Sequence, residues 1–408
     1  MNEEIKKFYD WDKIKDSMRY NSAKQNLQVI KMVYMLVYDL AFQFFFIPGM
    51  IWTGLQRVAA RIGMCESPGG EYYEMVFIPF FFIAIVFIDI TVFVCFSWIE
   101  TLSIKKSFGF SKATPTQFLI DRFMGVISLT ISFVPLIIFG DFVVINFKKD
   151  IALAFFLGTF IGKSYQLWIT PYINLCLEDK KVDFPEDKME LRRKIVNLAI
   201  ENGYPDPDNK IFLTESRGGD LHSNASVDGR NINISKELLQ HHEGHDEEIL
   251  AIVGHELGHW KQNHIYWYGL ADLLYMTICG VCFQFVVDNP VLLRAFGFSQ
   301  YSTFITIYLF YKCYSCSLDY PQRKLFNVMY RYGEFLADAE SLKLRIGDKD
   351  ERSHPIFMAL LRNFSTNLDA LFVDEFYSML EDNHPPLLTR LSALGMPVRH
   401  YQELPKAD

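Results

Sequence analysis

Six stretches of this chain are apolar over about the length that crosses a lipid bilayer: residues 28–48, 75–99, 119–140, 151–177, 264–287 and 301–320. A helix needs roughly 20 residues to span the hydrocarbon, where no water is left to satisfy its peptide groups. Each stretch is therefore expected to be helical. The second is the plainest, beginning Met75-Val-Phe-Ile-Pro-Phe-Phe-Phe-Ile-Ala-Ile-Val-Phe-Ile. Half of the 408 residues are hydrophobic and 37 are phenylalanine, a heavy aromatic load for a soluble chain. A soluble bundle of long buried helices is the alternative, and it is disfavoured because several segments exceed 20 residues. The expected fold class is mainly α, a polytopic membrane helix bundle.

Short loops set the orientation. One side carries Lys6, Lys7, Lys13, Lys15, Arg19 and Lys24 before the first span, then Lys105, Lys106 and Lys112. The other carries only Arg57 and Arg61, then Lys148 and Lys149, then Arg294. By the positive-inside rule both termini and the long 178–263 region face the cytosol. The net charge of −8 does not alter this, because acidic residues count little in that rule. There is no basic stripe, so the lipid bilayer is an expected partner and nucleic acid is not. Seven cysteines, an odd number lying mostly in apolar segments, read as reduced buried thiols, Cys313-x-x-Cys316 included.

Residues 178–246 are polar and punctuated by Pro185, Pro205, Pro207 and Gly218-Gly219. An amphipathic helix is expected over 186–201, with paired strands at Lys210-Ile-Phe-Leu and Arg230-Asn-Ile-Asn-Ile-Ser. The result is a small cytosolic α+β region, whose last helix runs from Ile249 to Trp260 and on into the fifth span. The expected division is 1–177 (arm and four spans), 178–263 (catalytic region), 264–320 (two spans) and 321–408 (C-terminal cytosolic region).

That last helix carries His255-Glu-Leu-Gly-His259. Histidines four apart share a helix face, so both imidazoles can grip one zinc ion, with Glu256 beside the open position as general base. A third ligand must come from elsewhere. Glu334 is the candidate, beyond two further spans and so back on the same side; Asp338, one turn on, could accept the Nδ1–H of a zinc histidine. A tetrahedral oxyanion needs another donor, for which His384 and Arg390 are candidates, though spacing alone favours a structural turn histidine at Asn383-His-Pro-Pro. His241, His242, His245 and His264 are expected to be solvated. Charged residues inside spans (Asp39, Asp89, Asp121, Arg122, Lys163, Asp272) point to a polar interior or to pairing between helices.

The chain resembles the type I CAAX prenyl endopeptidases, integral-membrane zinc metalloproteases of the endoplasmic reticulum and inner nuclear membrane. The likeness spans nearly the whole length. It rests on Ile99-Glu100 with Phe108-Gly-Phe-Ser-Lys112, Leu221-His-Ser-Asn-Ala225, Ala251-Ile-Val-Gly-His-Glu-Leu-Gly-His-Trp260, Glu334-Phe-Leu-Ala-Asp338, Phe376-Tyr-Ser-Met379 and His384-Pro-Pro-Leu. The resemblance implies helices ringed around a water-filled chamber, one Zn2+ per chain, and removal of the last three residues from prenylated CAAX proteins. It implies His255, His259 and Glu334 as ligands, Glu256 as base, and His384 as transition-state stabiliser with Arg390 beside it. Asn224 and Ala225 would pair with the substrate backbone as an edge strand.

Some features depart from the family. Its members usually have seven spans, and this chain begins where the second would. Tyr330, Gly333 and Leu336 stand where a serine, an aromatic and a glutamine are usual, and Asn383 stands for a serine. Two other functions share parts of the pattern. One is a membrane quality-control zinc protease of the stress-induced type; the other is a non-catalytic factor that clears blocked translocation channels.

Overall fold

Alternating isoleucine and leucine build the small sheet. Ile211 and Leu213 on one strand, Ile232 and Ile234 on another, turn the same face inward and are buried. The computed structural model describes residues 3–63, 73–147, 150–169, 179–216, 221–228, 231–285, 287, 289–298, 303–317, 319–346 and 354–396. Lys148 and Lys149, the Gly218-Gly219 turn, and the fourth span beyond residue 169 lie outside the described residues, as do the Cys313 and Cys316 side chains.

Strands β1 (Asp179–Val182), β2 (Ile211–Ser216), β3 (Ala225–Asp228) and β4 (Asn231–Ser235) form one sheet in the order β1-β2-β4-β3. The β2–β4 pair is parallel and the other two pairs are antiparallel, which leaves β3 on an edge. Against the sheet's buried face pack the helices Met189–Glu201, through Leu191 and Ile195, and Asp246–Lys261, through Ile249, Val253 and Leu257. The N-terminal arm enters the same core through Ile5, Tyr9 and Ile14. It therefore lies against the region that carries the histidine pair.

Over most of its described residues, each expected span is helical. Among the described residues three are long and apolar enough to cross a membrane: Trp11–Phe44, Val76–Lys105 and His264–Gln284. Their apolar side chains are largely exposed, as at Leu36, Leu40, Phe80, Phe87, Leu274 and Ile278, which is the surface a bilayer would cover. One helix was not separable in the sequence. The run Phe44-Phe-Phe-Ile-Pro48 reads as unbroken apolar chain, but Phe46 takes a left-handed φ of 54° and Pro48 opens a new helix, Ile47–Arg61. The intramembrane charges are mostly paired. Tyr38 donates to Asp89 at 2.7 Å, Lys163 meets Asp272 at 2.6 Å, and Lys312 lies 3.8 Å from Asp39.

The zinc-motif helix crosses the long helix Asp319–Lys343 closely, and two glycines make this possible. A Cβ on Gly258 would stand 2.9 Å from Ala337 Cα and 3.0 Å from its carbonyl oxygen, and backbone cannot give way as a flexible side chain can. At Gly254 the obstruction is the Leu344 side chain at 2.6 Å. Gly258→Ala should therefore push the two helices apart, costing about 1–3 kcal/mol of stability and weakening metal binding. Thermal unfolding and metal titration of the variant check this. A wild-type melting temperature and metal affinity would rule out the close approach as a requirement.

Candidate active site

His255 and His259 leave the zinc-motif helix on one face, and Glu334 comes to them from the crossing helix. His255 Nε2 and His259 Nε2 lie 3.1 Å apart. Glu334 Oε1 is 3.2 Å from His259 Nε2, and Oε2 is 3.6 Å from His255 Nε2. All three ligand atoms fall within 4.8 Å of one another. The ligand set expected from the sequence is thus brought together from two crossing helices, with Glu334 75 positions beyond His259 in the chain.

The outer nitrogens settle what the inner ones present. His255 Nδ1 is 2.9 Å from Asp338 Oδ1, and an ionised carboxylate only accepts, so this nitrogen carries the proton. His255 then offers a bare lone pair at Nε2. His259 Nδ1 is 2.8 Å from His264 Nδ1. With His264 accepting, His259 also presents an unprotonated Nε2. Two lone pairs 3.1 Å apart beside a carboxylate repel unless a cation lies between them, and the donor set suits a divalent metal ion.

Arg390 supports this cluster from behind. Its Nε donates to Asp338 Oδ2 at 2.8 Å and its Nη2 to Oδ1 at 2.6 Å, while Nη1 lies 3.3 Å from Glu334 Oε2. Burial alone would raise Asp338, but the guanidinium outweighs it and, with His255, holds the carboxyl at about 2. Glu334 behaves likewise. Burial works to raise it, and Arg390, His259 and His384 hold it well below the usual carboxylate range. Two ionised carboxylates against one guanidinium leave a net negative seat for a cation.

Glu256 is buried on the same helix and lines a cavity of about 1300 Å³ together with the ligands. His384 stands at the opposite wall, its ring exposed and its Nδ1 3.0 Å from Glu334 Oε2. Asn224 and Ala225 line the same cavity at the start of edge strand β3. A second cavity of about 890 Å³ adjoins the first between the spans; Ile265, Tyr266, Tyr268 and Asn383 line both. Lys163, Asp272 and Gln322 line the second, so two of the six charges expected inside spans face this cavity.

Two histidines expected to be solvated are buried. His264 follows Asn263, whose φ of 55° breaks the helix and turns the next residue back onto His259. Helical periodicity runs out at that break, so spacing could not have found it. His242 is fully buried with Nδ1 2.9 Å from Glu248, a carboxylate also gripped by Arg362 at 2.7 Å.

Comparison with known proteins follows the same lines. Residues 185–398 match the sequence model of peptidase family M48. Residues 1–176 match that of the CAAX prenyl protease N-terminal region, described as five membrane helices; among the described residues of this part, Ile47–Arg61 brings the number of helices of 15 or more residues to five. A CAAX prenyl protease 1 homolog of Arabidopsis thaliana is 28% identical over 387 residues, 94% of this chain and 87% of its own length. CAAX prenyl protease 1 of Saccharomyces cerevisiae is 24% identical over 319 residues, 73% of this chain and 67% of its own. The crystal structure of S. mikatae Ste24p shares the fold with a TM-score of 0.80 at 21% identity, covering 95% of this chain and 89% of that one. With the M48 match taking in the histidine pair, Glu256, Glu334 and His384, this multi-pass membrane protein belongs to peptidase family M48.

Proposed function

We propose that the chain is a zinc endopeptidase that removes the last three residues of prenylated CAAX proteins, in the endoplasmic reticulum membrane with its site open to the cytosol. The observation that carries this reading is the ligand cluster with Glu256 on the wall of a cavity that continues between the membrane helices. A lipidated C-terminus needs both, a hydrolytic centre and room beside the bilayer. Relatives named CAAX prenyl protease 1, aligned over most of the chain, support the substrate class.

His255, His259 and Glu334 would hold the zinc, whose chemistry is Lewis-acid activation of water and of the scissile carbonyl. Glu256 takes the proton of the attacking water and later delivers it to the leaving amine nitrogen. His384, whose Nδ1 lies 3.0 Å from Glu334 Oε2, would donate from its other nitrogen to the developing oxyanion. Arg390 was a second candidate for that donation, but the geometry supports a different role. Three of its nitrogens face Asp338 and Glu334, so it positions the ligand shell.

Purified protein given a farnesylated CAAX peptide should release an intact tripeptide; 1,10-phenanthroline should stop the reaction and added Zn2+ restore it. Equal cleavage of the unprenylated peptide would favour a quality-control protease instead. Zinc-loaded protein that cuts neither peptide would sink the enzymatic reading.

A further inference from the structure

The outer edge of β3 has rungs that are not equivalent. In an antiparallel ladder alternate residues turn both N–H and C=O toward the partner strand, and the residues between them turn both away. The Ser235 N–H donates to the Asn224 carbonyl at 2.9 Å, in line with the β3–β4 register. Asn224, Ser226 and Asp228 therefore face β4, and Leu221, Ser223, Ala225 and Val227 face outward.

Two of those four outer rungs are taken. The Leu221 N–H donates to the Phe110 carbonyl at 3.2 Å. The Ser223 N–H donates to Asn367 Oδ1 at 2.9 Å, and Asn367 Nδ2 donates back to the Ser223 carbonyl at 2.9 Å. One primary amide thus does for Ser223 what a neighbouring strand would do. Among the described residues no strand pairs with this edge beyond it, and Ala225 and Val227 line the cavity that holds the metal ligands.

Asn367 is itself held firmly. It caps the helix Pro355–Thr366, and Leu368 after it takes a left-handed φ of 52°, a strained conformation for a branched side chain. The N-terminal arm fastens that turn: Ser17 Oγ and Asn21 Nδ2 donate to the Leu368 carbonyl at 3.1 and 2.8 Å, and Ser17 Oγ also reaches the Asp369 carbonyl at 2.9 Å.

We propose that Asn367 is a positioning residue that closes the rung at Ser223, so that an extended substrate pairs with Ala225 and Val227 in a single register. The inference deepens the endopeptidase reading and rests on it. It also moves backbone recognition off Asn224, which faces into the sheet. A slip by two residues would keep every side chain on its own face, so without a stop at Ser223 the register is open to such slips.

Hydrogen exchange on full-length protein tests the placement without any need for turnover. In Glu256→Gln protein, a farnesylated CAAX peptide should slow exchange at Ala225 and Val227 at least tenfold. Ser223 should be protected with or without peptide, and should lose that protection in Asn367→Ala. In otherwise wild-type protein, Asn367→Ala should raise KM about tenfold with kcat within threefold and zinc content unchanged. Mass spectrometry should then show a second cleavage site two residues from the first. Asn367→Asp, which keeps the acceptor, should fall between.

Exchange at Ala225 and Val227 unmoved by bound peptide would overturn the proposal. So would wild-type KM and a single cleavage site in Asn367→Ala, or a joint fall of kcat, affinity and zinc content. Wild-type protein that binds the peptide with this protection pattern but never cuts it would sink the catalytic reading and leave the register standing.

Discussion

Glu256→Gln protein should keep its fold and its metal and lose at least about a thousandfold in kcat, some 4 kcal/mol of transition-state stabilisation. The carboxylate lies between the two histidines on one helix, buried, on the wall of the cavity where the ligands converge. Glutamine has the same shape, so packing in the α-helix is preserved, but an amide cannot accept the proton of the attacking water. The metal ligands are untouched by the change. Metal content, thermal unfolding and single-turnover cleavage of a farnesylated peptide separate these effects. If the variant retains more than a tenth of wild-type kcat, Glu256 is not the base. If it loses its metal as well, the glutamate is part of the coordination shell and the assignment of three ligands is incomplete.

The parts of the site that were legible in the sequence are those fixed by local periodicity. His255 and His259 must share a helix face because a helix turns every 3.6 residues, and the same rule carries Glu334 and Asp338 together. Membrane spans were legible because lipid demands long apolar helices. What the sequence concealed depends on backbone breaks and on which atoms of a side chain are used. Asn263 and Phe46, both left-handed, interrupt apparently continuous segments; one break brings His264 onto His259, and the other opens a fifth N-terminal helix. Asn367 and Ser223 are 144 residues apart and meet through an amide that carries no periodic signal. Arg390 was visible as a cation near His384, but the direction of its guanidinium fork decides between a donor to substrate and a support for the ligands.

That direction makes Arg390→Met the most disruptive substitution expected outside the ligands themselves. Removing one partner of a buried ion pair leaves the other uncompensated and costs about 3–5 kcal/mol. Here two carboxylates, Asp338 and Glu334, lose the same cation. His255 also loses a firmly held acceptor for its Nδ1–H, so metal affinity should fall about 10–100-fold. Lysine should not rescue, because a single ammonium cannot reproduce the contacts of Nε, Nη1 and Nη2 together.

The pH dependence should change sign. In the wild type Asp338 is held at about 2, below an unfolded value of about 3.9, so its contribution is present above pH 4 and is lost as pH falls toward 2. Without Arg390, burial becomes the dominant influence and lifts the carboxyl above its unfolded value. The ionised group then costs stability near neutrality, and protonation relieves that cost. The stability gap between Arg390→Met and wild type should therefore narrow as metal-free protein is taken from pH 7 toward pH 4. Replacing Asp338 by asparagine in the same variant should recover part of the loss, since both halves of the pair are then gone. A gap that stays constant with pH, or an Arg390→Lys variant with wild-type stability and metal affinity, would show that the guanidinium does not hold the ligand shell in place.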